Sequence, residues 1–169
     1  MPWSSVQENR QKSAKEKDLK IRKAYEMEYK RDRIGNVPFG LHDSRIQKIE
    51  FREDSIILKI DRIFQYANND EEKWYPCEIE FTKADLDCCD ILVFNHPYGY
   101  EGVCELTGRE LSFEEFINEY PNAEFEIITE TYFGYDTVFQ GQIWDGEEDL
   151  RAIMSIWNMG DMIYRIDLE

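Results

Sequence analysis

Between Leu41 and Tyr66 the chain alternates apolar and polar residues, breaks once at an acidic turn, and alternates again. The outward run is Arg45-Ile46-Gln47-Lys48-Ile49-Glu50-Phe51-Arg52, the turn is Glu53-Asp54-Ser55, and the return runs from Ile56 to Phe64. A period of two puts successive side chains on opposite faces, so this stretch predicts a β-hairpin. On the return strand Ile56, Leu58, Ile60, Phe64 and Tyr66 share one face, with Arg62 as the exception. Ile57, Lys59, Asp61, Ile63 and Gln65 share the other. One face is expected in the core and the other partly in water.

The same alternation recurs downstream. In Trp74–Thr82 the residues Tyr75, Cys77, Ile79 and Phe81 fall on one face. Residues 87–95 are apolar on both faces, which predicts a strand central in its sheet. Val103–Leu106 predicts a short strand, and residues 124–132, 135–144, 150–158 and 163–168 predict four more. Almost every connection is too short for a parallel crossover, so the sheet is expected to be antiparallel. Ser112, with Glu115 three positions on and Pro121 beyond, predicts a short capped helix over Phe113–Tyr120.

Residues 4–33 predict one long helix. Ser4 or Ser5 can cap it, and Glu8–Lys12, Glu16–Lys20, Asp18–Arg22 and Glu26–Lys30 stand four apart in the favourable order. Gly35-Asn36-Val37-Pro38 would end it. The expected fold class is therefore α+β, mainly β. A charged helical extension (residues 1–36) precedes an antiparallel β-rich domain (37–169) of about eight strands, in one curved sheet or two packed sheets. A chain of 169 residues buries about two thirds of its unfolded surface and needs no metal or disulfide staple.

Charge narrows the partners. The net charge is −16, and residues 1–33 hold ten of the twenty Lys and Arg but six of the thirty-six acidic residues. The remainder sets ten basic residues against thirty acidic ones, which repels nucleic-acid phosphates and anionic lipid surfaces and attracts a basic protein. Cys77, Cys88, Cys89 and Cys104 form no disulfide framework. With a highly charged beginning and no apolar run of membrane-spanning length, the chain is expected to be cytoplasmic with reduced thiols.

Catalytic and metal signatures are weak. His42-Asp43-Ser44 holds the residue types of nucleophilic catalysis, but neighbours in an extended chain point to opposite faces and cannot form a triad. His96 is a second candidate general base. The cysteines have no C-x-x-C spacing for zinc. Asp85-Leu86-Asp87 and the turn Asp145–Asp149 lack the glycine and spacing of a calcium loop. No cofactor signature is present. Trp74, Trp144, Trp157, Tyr98, Tyr100 and Tyr132 suit either core packing or recognition, where rings anchor and carboxylates steer. The candidate binding residues are Asp70, Glu71, Glu72 and Trp74, then Glu147, Glu148 and Asp149.

The opening Leu41-His42-Asp43-Ser44-Arg45-Ile46, with its acidic turn and hydrophobic return strand, resembles a group of small, mostly uncharacterised bacterial proteins. Some of these look like immunity proteins of polymorphic toxin loci. The resemblance covers the hairpin and carries no catalytic residues. Gly134-Tyr135-Asp136-Thr137 and Trp157-Asn158-Met159-Gly160 are also distinctive, with no activity attached. The resemblance implies a bacterial binding protein that neutralises a basic toxin through an acidic surface. The alternatives are a small hydrolase using His42 or His96 with a carboxylate, and a β-barrel holding a small ligand.

Overall fold

The computed structural model describes residues 27–34, 37–66, 72–97, 107–146 and 149–168, with the backbone alone at Tyr66, His96 and Pro97. Within them one antiparallel sheet contains β1 (Met27–Lys30), β2 (Phe39–Gly40), β3 (Ser44–Arg52), β4 (Ser55–Tyr66), β5 (Glu72–Phe81), β6 (Asp90–Pro97), β7 (Gly108–Leu111), β8 (Glu124–Phe133), β9 (Asp136–Trp144), β10 (Asp149–Trp157) and β11 (Met162–Ile166). The strand order is β1-β11-β5-β4-β3-β8-β9-β10-β6-β7, with β2 added beside β4. A 3-10 turn spans Leu86–Cys88, and the described helix, α1, spans Phe113–Glu119.

The sheet is rolled. β10 stands eighth in the order and β11 second, yet only Asn158–Asp161 joins them. The two halves must therefore face each other. Across the interior Phe81 of β5 meets Phe139 of β9 with ring centroids 6.5 Å apart. Tyr132 of β8 and Tyr164 of β11 bring their hydroxyls to 3.2 Å. The halves join through three residue pairs, Ser44–Ile46 of β3 with Phe125–Ile127 of β8. Register shifts at Ile46/Lys48, Ile60/Ile63, Ile127/Thr129 and Leu150/Ala152 supply the extra twist that rolling needs.

The hairpin predicted from Leu41–Tyr66 is β3–β4, paired from Arg52↔Ser55 to Ile46↔Ile60 around Glu53 and Asp54. Ile56, Leu58 and Ile60 enter the core as the alternation requires. The irregularity after Ile60 then reverses the phase. Ile63 is fully buried, whereas Arg62 and Phe64 are half-exposed. Arg62 is an exception because it sits on the bulge. Tyr75 apart, the predicted inner face of β5 is buried: Cys77, Ile79 and Phe81.

Three expectations are corrected. The fold class is mostly β, in one sheet of eleven strands, and the N-terminal helix predicted over residues 4–33 is overturned where the chain is described. Met27–Lys30 is a strand paired with Ile163–Ile166. Met27 and Tyr29 pack against the core, so burial on a period of two prevails over ion pairs that contribute only a few tenths of a kcal/mol each. Residues 4–26 lie outside the described residues. The strand at 90–97 is not central: β6 lies between β10 and the edge strand β7. Its outward residues Leu92 and Phe94 are only half-buried, so an apolar face did not mean a covered one. The strand predicted at Val103–Leu106 lies outside the described residues, and Gly108–Leu111 forms β7.

The predicted short helix is present. Glu115 donates its backbone N–H to Ser112 Oγ at 3.2 Å, and the Glu115 carboxylate accepts the Ser112 N–H at 2.8 Å. Phe113 and Phe116 are buried from this helix, and Phe116 borders a cleft with Ile46–Ile49 of β3 and Phe125 of β8.

Candidate functional site: the turn-lined end of the rolled sheet

Four chain reversals and the segment after β1 gather at one end of the rolled sheet. They are Glu53–Asp54, Thr82–Cys89, Phe133–Asp136, Asn158–Asp161 and Arg31–Ile34. Backbone bonds stitch them together. The N–H of Ala84 reaches Asp54 O at 2.8 Å, and that of Thr82 reaches Asp161 O at 2.9 Å. The N–H groups of Gly160 and Met159 reach Thr82 O and Lys83 O, each at 3.0 Å. The N–H of Asn158 reaches Tyr135 O at 3.1 Å. The Arg33 guanidinium then donates to the carbonyls of Gly134 at 2.8 Å, of Asn158 at 3.0 Å, and of Gly160, while stacking over the Tyr135 ring. Gly160 is required here, because a Cβ would stand 2.4 Å from Thr82 O and 2.2 Å from its hydroxyl.

This framework carries an apolar surface. Eight large hydrophobic side chains are exposed among the described residues, and six of them belong here: Ile34, Phe51, Leu86, Phe133, Tyr135 and Met159. Ile34 is 96% exposed and Phe133 80%, so they contribute nothing to the core and are available for contact. Phe51, Leu86 and Met159 line a cleft of about 560 Å³ rimmed by Glu53, Asp54 and Asp85. Asp87 and Asp136 stand exposed nearby. Of the cations, Arg33 is committed to carbonyls, Arg31 lies over the Tyr132 ring, Lys30 is paired with Asp161 at 2.7 Å, and Lys83 remains on the rim. The result is an apolar surface set in a negative field.

The residues expected to bind lie elsewhere. Glu72 and Trp74 begin β5 at the opposite end of the sheet, where Trp74 is 62% exposed, and Asp149 begins β10 opposite Trp144. Asp70, Glu71, Glu147 and Glu148 lie outside the described residues. Sequence reading missed Phe51, Leu86 and Met159 because each lies in a different stretch. The available signal was the pair of distinctive segments around Gly134 and Met159, which fold back to back here.

The histidine cluster differs from expectation in one respect. Asp43 has a φ of 62°, so the chain at His42 is a tight turn and not an extended strand. His42 Nδ1 therefore reaches Asp43 Oδ2 at 2.9 Å. Ser44 is fully buried, so the exposed His42–Asp43 pair has no neighbouring nucleophile in it. Glu130 accepts the Leu41 N–H at 3.0 Å. Burial pushes its carboxyl up to about 7, against the lowering effect of that N–H and of His42. The side chain of His96 lies outside the described residues. The interior between the two half-sheets is occupied by Tyr164, Phe81, Phe125 and Phe139, all fully buried.

Among the described residues no group of three His, Cys, Asp or Glu side chains is placed to hold a metal, and no helix is long and apolar enough to cross a membrane. Comparisons with protein-family models, curated proteins and solved structures found no match.

Proposed function

We propose that this is a non-catalytic binding protein that docks a basic protein on its turn-lined end, in the manner of an immunity protein neutralising a basic toxin. One observation carries the reading: six exposed apolar side chains gather at this end, and three of them, Phe51, Leu86 and Met159, line a cleft rimmed by carboxylates. Large side chains that enter partner pockets dominate binding energy, and charge complementarity raises the encounter rate and fixes register. A framework held by backbone bonds presents these groups already ordered, which lowers the entropic cost of association. The hairpin resemblance and the strongly acidic body support the same reading. The packed interior favours it over the small-ligand barrel.

The test is affinity capture with the wild-type chain and with a Leu86→Ser/Met159→Ser variant, at low and high salt. Both side chains are exposed, so the variant should fold. A basic protein held by the wild type, released by salt and missed by the variant is the expected result. Equal capture by the variant, or no specific partner, would overturn the proposal.

A further inference from the structure

The outer edges of the sheet, β1 and β7, are four residues each, as short as native edges usually are. Among the described residues a longer unpaired edge lies inside the sheet. β3 pairs with β4 as far as Arg52, but with β8 only over Ser44–Ile46. From Gln47 to Phe51 its side away from β4 meets no strand among the described residues. Arg52 and Ser55 flank the two-residue turn, so Arg52, Glu50 and Lys48 direct their backbone groups toward β4. Ile49 and Phe51 direct their N–H and C=O groups outward, where no hydrogen bond is formed among the described residues.

This edge borders a groove. Two adjoining clefts, of about 150 Å³ and 530 Å³, share Lys48, Ile49 and Ile117 and lie between β3 and α1. The floor is Ile49, Phe51, Ile117 and Tyr120. The rim holds Glu50 and Glu114, with Glu53 and Asp54 on the adjacent turn, while Lys48 is paired to Glu50 at 2.8 Å. Phe51 also lines the cleft at the turn-lined end, so the groove and the apolar surface are continuous.

We propose that the unpaired half of β3 receives an extended segment of a basic partner as an added strand. Such a segment satisfies the outward groups of Ile49 and Phe51 through its backbone. Its alternate side chains are apolar and enter the groove, and its Lys or Arg residues meet Glu114 and the acidic turn. Five residues of strand span about 17 Å, which sets the length of the segment. The inference rests on the basic-partner reading and specifies how that partner engages.

The test uses the full chain and a synthetic peptide of alternating Lys and Val, with hydrogen exchange read residue by residue. Expected is rapid exchange of the Ile49 and Phe51 amides in the free protein, and exchange about tenfold slower with peptide at ten times its Kd. The same peptide N-methylated at alternate residues keeps its charge and loses its strand-pairing donors, so it should give no protection. Equal effects of the two peptides would mean charge attraction alone and overturn the proposal. So would slow exchange of both amides without peptide, or protection that grows with protein concentration, which would place a second copy on the edge. Leu86 and Met159 do not line the groove, so capture by their variant and protection of these amides fail independently.

Discussion

Arg165 of β11 places Nη1 3.1 Å from Glu78 Oε1 of β5, and the two side chains are 7% and 1% exposed. Arg165 also bonds Glu80, and Lys59 of β4 bonds Glu78. Glu28 of β1 approaches the same guanidinium at 3.3 Å. A single arginine thus ties β1, β11 and β5 together, and it shares the neutralisation of Glu78 with Lys59.

Replacing Arg165 with Met should cost about 3–5 kcal/mol, because Glu80 loses its bond to the guanidinium and buried Glu78 is left to Lys59. Urea unfolding measures it. A loss under about 1 kcal/mol would show that the pair behaves as a surface ion pair.

Gly160→Ala should cost about 3 kcal/mol, since its Cβ meets backbone that other turns hold in place. Gly134 has a φ of +60° but nothing within 4 Å of a Cβ, so Gly134→Ala should cost about 1 kcal/mol from backbone strain alone. Comparable urea midpoints for the two variants would contradict the close approach of Gly160 to Thr82.

Glu130 makes stability depend on pH. Its carboxyl titrates at about 7 in the folded chain, against about 4.3 in an unfolded one. The folded state therefore binds the extra proton between these values. The stabilisation is complete below the lower value and is lost as pH rises through the upper one. For a half-buried side chain the effect is on the order of 2 kcal/mol after solvent screening. Glu130→Gln keeps an acceptor for Leu41 and should flatten this slope between about pH 4 and 7. An unchanged slope in the variant would assign it to other groups.

Cys88 is exposed, whereas Cys77 and Cys89 are buried. Partial desolvation, followed by the carboxylates of Asp85, Asp87 and Asp136, raises the Cys88 thiol above its ordinary range. Of these three, Cys88 should react first with iodoacetamide, more slowly than a cysteine in an unstructured peptide, and faster as salt screens the carboxylates. It stands beside Leu86, so a docked partner should protect it. Earlier modification of Cys77 would contradict the packing of β5.

Much of the sheet was legible because burial on one face writes a period of two into the chain. β3, β4, β5 and the four strands after α1 follow that pattern, and α1 carries its cap in Ser112 and Glu115. β1 was misread because its residues support helical charge pairs as well as strand alternation, and the choice depended on a partner, β11, more than a hundred residues away. β2 has two residues and no period to read. The candidate site was legible only in fragments. Its acidic turns and the segments at Gly134 and Met159 stood out, but nothing local joins Phe51 to Met159.

Sequence alone determined which residues alternate, where the chain must turn, that the pairing is antiparallel, and that the body is acidic. These are local properties of side-chain period, turn chemistry and charge. Tertiary structure decided the roll of the sheet, and with it the stitched end, the gap beside β3 and the burial of Arg165 among carboxylates. Those features arise from contacts between distant strands, whose order depends on bulges and on competition for the core, and no single stretch of the chain encodes them.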